Sequence, residues 1–303
     1  MDTVVTVSVV SDSPDDADKA IEAAFDRIES LEKMLSLYLP ESEISHINKD
    51  AGKSPVRVSA DVFELLSKAV YVSEMTGGAF DATIGAVSVL YDFHSSTMPP
   101  EEAITKNLVL VNYRDMILDK SASTVLLRKK GMLVDSGGIA KGFAADKAVD
   151  VLKKRGIQSG LVSVAGDIRT FGLKPDGKPW RIGIRNPRAA ENRDEIIGAI
   201  ELRDTAISTS GDYERFFMLE GQRYHHLLNP ETGYPAQGCR SVSVIAGETA
   251  FSDAFATGAF ILGPQKGLRL LQKMGFEGII IDSNGAMSMT DGLRGKIEHK
   301  TSD

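Results

Sequence analysis

A chain of 303 residues that is 42% hydrophobic and 25% charged has the make-up of an ordinary globular protein and can bury a substantial core. Its formal net charge of -7, with no basic run longer than a cluster such as Lys153-Lys154-Arg155, argues against a general nucleic-acid binder. Cys239 is the only cysteine, which excludes an intrachain disulfide; no apolar run reaches membrane-spanning length, and the N-terminus lacks a charged-then-apolar signal pattern.

The first predicted element is a strand over 4–10, beginning so soon after Met1 that trimming upstream is expected. Residues 14–37 carry Ala20, Ile21, Ala24, Phe25, Ile28 and Leu31 at helical spacing behind an acidic first turn, the pattern of a core-packing helix. Ser42 and Glu43 then lead into a short helix, and Tyr38 ahead of them offers a flat apolar face to an aromatic ligand, although a lone Tyr is more often structural. A second amphipathic helix spans 59–74, with Ser59 as N-cap and Gly77-Gly78 as its stop.

Residues 76–85 concentrate glycines with Asp81 and Thr83. Glycine lets a backbone approach a ligand closely, so this is a candidate binding loop, and a plain helix-to-helix turn explains it equally well. The polar, Pro-containing stretch 95–106 reads as a surface loop. Strands follow at 116–118 and 124–128. Residues 132–146 then read as a strand feeding Gly137, Gly138 and Lys141 into a helix that ends near Arg155, an arrangement in which backbone N–H groups and an ammonium meet a phosphate. The spacing matches neither a Walker A run nor the dinucleotide fingerprint, and a tight strand-to-helix turn accounts for it as well.

Strand, tight turn and strand are expected over 160–171, with further strands at 180–184 and 198–202. Residues 206–213 lead into a strand at 214–218 just before the adjacent His225 and His226. A His pair at a strand end sets one imidazole ahead of the turn marked by Asn229-Pro230 and Thr232-Gly233, though neighbouring histidines alone more often pack or meet solvent. The last third reads as a strand at 241–246, helices at 253–262 and 264–274, and a strand at 278–282. On the first of those helices Asp253 and Thr257 share a face, and oxygen-only donors suit Mg²⁺ or another hard cation. On spacing alone, an acidic first turn complementing the helix dipole is the stronger reading. No repeat or linker divides the chain, so one α+β domain over 1–303 is expected, built on a mixed, largely antiparallel sheet flanked by helices.

Taken together, Tyr38 with Ser42-Glu43 and Asn48, Gly78-Ala79-Phe80-Asp81-Ala82-Thr83, Asp135 through Gly142, Gly166-Asp167, Thr209-Ser210-Gly211, His226 through Gly233 and Asp253 through Thr257 resemble, in order and over nearly the whole chain, the motifs of the ApbE family. The resemblance implies an ApbE-like fold related to the T-fold. It implies a flavin transferase that cleaves FAD and joins FMN to a Ser or Thr hydroxyl of a target flavoprotein, releasing AMP. By position, FAD contacts fall on Met1, Tyr38, Ala79, Phe80, Asp81, Asp135, Lys141 and Leu228. Mg²⁺ falls to Asp253 and Thr257 with backbone help from Gly138 and Ala256, and His226, not His225, matches the family histidine. Ala165 stands where the family usually has a second Gly, and Asn229 where it has Asp; neither change removes an evident ligand or base. Residence in the periplasm or cell envelope follows from the same resemblance, with the cytoplasm as the alternative and membrane association only through a lipidated segment upstream. A hydrolase splitting FAD into FMN and AMP, and a non-catalytic flavin-binding protein, are the rival functions.

Overall fold

In the computed structural model, which describes residues 3–93, 95–189 and 195–299, the chain opens with β1 (Val5–Val10), α1 (Pro14–Leu35), α2 (Glu43–Lys49), β2 (Val56–Arg57), α3 (Ala60–Met75), α4 (Gly85–Ser88), α5 (Glu101–Leu108), β3 (Met116–Asp119) and β4 (Thr124–Leu127). It continues through α6 (Ala140–Lys154), β5 (Ser159–Val164), β6 (Asp167–Phe171), β7 (Trp180–Arg185), β8 (Ile196–Leu202), β9 (Ala206–Gly211), β10 (Phe216–Leu219) and β11 (Gln222–His225). It closes with β12 (Cys239–Ala246), α7 (Thr249–Met274), β13 (Glu277–Asp282), β14 (Met287–Met289) and β15 (Glu298–His299).

The helices start where side chains satisfy their first N–H groups. Ser13, Ser42 and Ser59 accept from Asp16, Ser45 and Val62 at the heads of α1, α2 and α3. A seven-stranded sheet in the order β1-β5-β6-β9-β12-β13-β14 forms the centre, and every ladder in it is antiparallel. Because alternate residues of a strand face opposite ways, Val162, Val164, Val242, Val244 and Ile280 turn toward the helices and share a core with Ala144, Ala148, Phe255 and Phe260. Their neighbours Leu161, Ile168, Ile207, Ile245 and Ile279 pack on the other face with Ile182, Ile184, Ile200 and Leu202 of the smaller β15-β8-β7 sheet. A third apolar cluster, Val87, Tyr91, Ile104 and Leu228, lies beneath the turn that follows β11.

Three sequence expectations give way here. The stretch taken as a surface loop holds α5, opened by Pro100 with Glu101 and Glu102 in its first turn and Lys106 in its last, and anchored by buried Ile104. Residues 132–135 form no ladder: apart from a single parallel bridge between Ile84 and Leu133, the polar groups of Val134 are taken by the Asn48 side chain, which donates to its carbonyl (3.1 Å) and accepts from its N–H (2.7 Å). And 206–211, taken as a lead-in, is β9, paired to both β6 and β12, while the strand expected at 214–218 begins only at Phe216 as β10 and pairs with β11, which carries His225. Helix α7 does bend where two helices were expected, at Gly263 (φ 78°), but it starts at Thr249 rather than near Asp253.

Candidate active site

The site grows from the place where α6 and α7 begin side by side. The N-cap of α6, Ile139, offers no side-chain bond, and the orphan N–H of Gly142 in its first turn is met instead by Asp253 Oδ2 at 3.0 Å. Asp253 sits in the second turn of α7 and is 3% exposed, so it is an inward-facing group and not the solvent-side dipole partner that spacing favoured. Its other oxygen lies 3.6 Å from the Lys141 ammonium, which hydrogen-bonds Asp167 Oδ2. Asp167, 1% exposed, opens β6 after a turn in which Ala165 (φ 54°) and Gly166 (φ 89°) both take left-handed backbone.

Two buried carboxylates therefore share one ammonium. Burial first, and then the charge of Asp167, push the Asp253 carboxyl up to about 7. Burial works against the Lys141 charge, but Asp167 and Asp253 outweigh it and hold that ammonium above its ordinary range. The ammonium is thus directed at carboxylates, which differs from the bare phosphate cradle read from 132–146.

One turn beyond Asp253, Thr257 Oγ1 exchanges a 3.0 Å hydrogen bond with Ser210 Oγ of β9, while Ser208 and Ser252 pair at 2.8 Å on the same strand face. Gly138 lies against this hydroxyl: a Cβ placed there would stand 3.6 Å from Thr257 Oγ1 and 3.1 Å from Phe80 Cε2. Ala256 is buried between the two α7 donors. Asp253, Thr257 and the carbonyls at Gly138 and Ala256 are all oxygen donors, and the pair of buried carboxylates leaves negative charge that one ammonium does not cancel. That set fits a hard divalent cation such as Mg²⁺ completed by phosphate and water. Among the described residues no three His, Cys, Asp or Glu side chains converge, so a zinc-type cage is not built here.

The histidines divide cleanly. His225, the last residue of β11, is buried with its ring edge-on to Phe260; Nε2 is 2.9 Å from the Ala236 carbonyl and Nδ1 accepts from Leu227 N–H at 3.3 Å. A carbonyl only accepts, so the proton is on Nε2 and the ring is a neutral structural bridge. For His226 the same logic puts the proton on Nδ1, which lies 3.3 Å from the Arg215 carbonyl, and leaves Nε2 as an open lone pair with no protein partner among the described residues. Burial, with the positive charge of Arg215 next, lowers its pKa to about 3.

After His226 the chain folds into a tight turn. Asn229 Oδ1 accepts from Glu231 N–H at 2.9 Å, Gly233 N–H bonds the Asn229 carbonyl at 2.7 Å, and Tyr91 donates to the Gly233 carbonyl at 2.8 Å. Gly233 (φ 75°) is required: a Cβ there would come within 2.5 Å of Ile104 Cγ2. Asn229 thus makes the turn with its amide oxygen.

The remaining predicted residues are spread around this centre. Tyr38 is 81% exposed on the loop between α1 and α2, with its ring free to stack. Ala79 is half-buried and Phe80 buried beside Gly138. The Asp81 carboxylate is turned into the protein, accepting from Thr83 N–H (2.8 Å), Thr83 Oγ1 (2.6 Å) and Tyr113 N–H (2.8 Å), so its side chain holds the loop in shape. Asp135 accepts from Gly137 N–H at 2.9 Å and Ser88 Oγ at 2.8 Å. Leu228 is buried in the cluster with Tyr91 and Ile104 and forms a β-bridge with Pro235, so its side chain serves the core. Met1 lies outside the described residues.

Sequence reasoning did not single out Asp167 as the partner of Lys141, nor Ser210 as the partner of Thr257. The first had a signal, a Gly-containing turn delivering an acid to a strand start; the second had one too, hydroxyls at alternate positions of 206–211.

The chain matches the family model described as ApbE family over residues 1–280. It is 35% identical over 288 residues to a FAD:protein FMN transferase of Treponema pallidum, covering 89% of this chain and 79% of that protein, and 28% identical over 266 residues to the one of Escherichia coli K12, covering 86% and 75%. Among solved structures, the ApbE protein of Thermotoga maritima superimposes with a TM-score of 0.90 at 32% identity, over 98% of this chain and 96% of that one. The Pseudomonas stutzeri flavinyl transferase ApbE does so with 0.84 at 29% identity, over 98% and 94%. With its motifs, its fold and these relatives in agreement, the chain belongs to the ApbE family.

Proposed function

We propose that this protein is a FAD:protein FMN transferase that works with Mg²⁺ and moves FMN from FAD to a Ser or Thr hydroxyl of a flavoprotein, with AMP as leaving group. The observation that carries this reading is the meeting, at the head of α7, of a buried oxygen donor set and the Lys141 ammonium in a chain whose relatives are named for that reaction. Residence in the cell envelope belongs to the same proposal. Among the described residues no helix is long and apolar enough to cross a membrane.

Asp253 and Thr257, with the carbonyls of Gly138 and Ala256, would hold the cation, which when bound neutralises charge on the pyrophosphate. Lys141 adds a second positive charge beside the same oxygens, and Tyr38 offers an aromatic face to the flavin or adenine. The acceptor oxygen attacks the phosphorus of the FMN half, the P–O bond to the AMP half breaks, AMP departs with the bridging oxygen and its electron pair, and the acceptor proton passes to His226 Nε2. General-base assistance of that kind contributes roughly 10²–10⁴-fold. The low proton affinity of the free ring keeps it unprotonated, and arrival of an anionic diphosphate beside it raises that affinity when it is needed.

The test is product analysis with FAD and Mg²⁺, with and without an acceptor flavoprotein. Transfer predicts AMP release that needs the acceptor and matches its labelling. AMP and free FMN formed equally without acceptor would establish the hydrolase instead, and FAD recovered intact but bound to the protein in both arms would establish simple binding.

A further inference from the structure

Helices α6 and α7 cap each other. Asp253 of α7 serves the first turn of α6 through Gly142 N–H at 3.0 Å, and Asp146 of α6 serves the first turn of α7: its Oδ1 accepts from Thr249 N–H (2.9 Å) and Thr249 Oγ1 (2.8 Å), and its Oδ2 from Ala250 N–H (2.9 Å). The N-cap residue of α7 itself, Glu248, makes no side-chain cap bond although its backbone (φ -127°, ψ 142°) is that of an N-cap. On each helix the two clamped residues are four apart, one turn, so they lie on the facing side: Gly142 with Asp146, and Thr249 with Asp253. Gly142 completes the clamp, since a Cβ there would stand 2.2 Å from the Thr249 carbonyl oxygen. Arg169 of β6 braces it from outside, with Nε 3.7 Å from Asp146 Oδ1 and a hydrogen bond to the Gly247 carbonyl.

We propose that Asp146 is a positioning residue for the cation site: by gripping the first turn of α7 it fixes the register in which Asp253 and Thr257 stand against Gly138 and Lys141. The inference rests on the reading of Asp253 and Thr257 as cation ligands. Its physical basis is that a ligand oxygen must be held to a few tenths of an ångström, and Asp253 rides on a helix whose first turn has, among the described residues, only Asp146 as a side-chain cap. Groups that orient metal ligands typically account for about 10–100-fold in metal affinity.

Asp146→Asn keeps an oxygen for Thr249 but sets an NH₂ against the Ala250 N–H, so one side of the grip opens. Adding Glu248→Ser gives α7 a cap of its own without restoring the bond across to α6, at the expense of an exposed Lys68 ion pair of small weight. Mn²⁺ binding is read by electron paramagnetic resonance without FAD, and melting is followed without metal. Asp146→Asn is expected to weaken Mn²⁺ binding by about 10-fold and lower the melting temperature; the double variant is expected to recover the melting temperature but not the affinity. Unchanged affinity in Asp146→Asn, or recovery of both quantities by Glu248→Ser, would overturn the proposal and leave Asp146 as an ordinary cap. If Asp146→Asn does not fold, the double variant alone decides on the same criterion. Wild-type protein that binds no Mn²⁺, or binds it equally well as Asp253→Asn, would instead overturn the ligand reading beneath it.

Discussion

At His226 a backbone carbonyl selects the tautomer. Because Arg215 O can only accept, Nδ1 must carry the proton, which leaves Nε2 unprotonated for its proposed role as base. His226→Ala is therefore expected to slow FMN transfer by roughly 10²-fold or more with little change in FAD affinity, measured by single-turnover kinetics and flavin titration. His225 behaves oppositely. Its ring bridges Ala236 and Leu227 and packs on Phe260, so His225→Ala is expected to lower stability by about 2–4 kcal/mol, seen as a shifted denaturation midpoint, and is no neutral control for its neighbour. The sequence placed an imidazole at this strand end; which of the two rings turns inward depends on Phe260, distant in the chain, and was not legible from the pair itself.

The pKa of His226 makes a second prediction with a definite sign. Its folded value, about 3, lies below the unconstrained 6.5, so the unfolded chain binds the proton first as pH falls. This ring therefore costs stability progressively between about pH 6.5 and 3 and nothing above. In kinetics the neutral form prevails from pH 5 to 8, and the profile of kcat/KM should show no acid limb from this group there. A limb near 6.5 that disappears in His226→Gln would show that the ring is solvated and titrates normally.

Among the elements, the crossing of α6 and α7 decides where Asp253 meets Lys141. Helix propensity alone says that Gly142→Ala should stabilise α6 by up to about 1 kcal/mol. The close approach of Thr249 says the reverse: the added methyl must push α7 away, so the variant is expected to melt lower and to lose divalent-cation binding together with its Asp253 bond. Melting curves and a Mn²⁺ titration distinguish the two. Elements with strong local signals were legible, as at the serine caps of α1, α2 and α3 and the periodic face of α1. Those whose identity comes from neighbours were not. Strand β9 is short and hydroxyl-rich, and it becomes a strand because β6 and β12 pair with it; α5 hides behind two prolines and is held by one buried isoleucine. The reciprocal caps of α6 and α7 leave no mark in the sequence, because donor and acceptor lie more than a hundred residues apart.

For the molecule as a whole, the antiparallel sheet is a platform with helices on one face and a smaller sheet on the other. The site collects at one end, where β6, β9, α6 and α7 each deliver a polar group: Asp167, Ser210, Lys141 and Asp253. Motif order named Lys141, Asp253 and Thr257, but not that Asp81 and Leu228 would face the protein interior, since burial is a property of the assembled fold. The proposed function requires that this constellation join FMN to a protein. It is tested most directly by intact-mass spectrometry of an acceptor flavoprotein incubated with FAD, Mg²⁺ and, in parallel, wild-type protein, Asp253→Asn and His226→Ala. FMN transfer predicts an acceptor carrying one FMN with the wild type, with matched AMP, and labelling abolished in Asp253→Asn and slowed roughly 10²-fold in His226→Ala while all three remain folded. An acceptor left unlabelled by the wild type, or labelled at the same rate by all three, would contradict it.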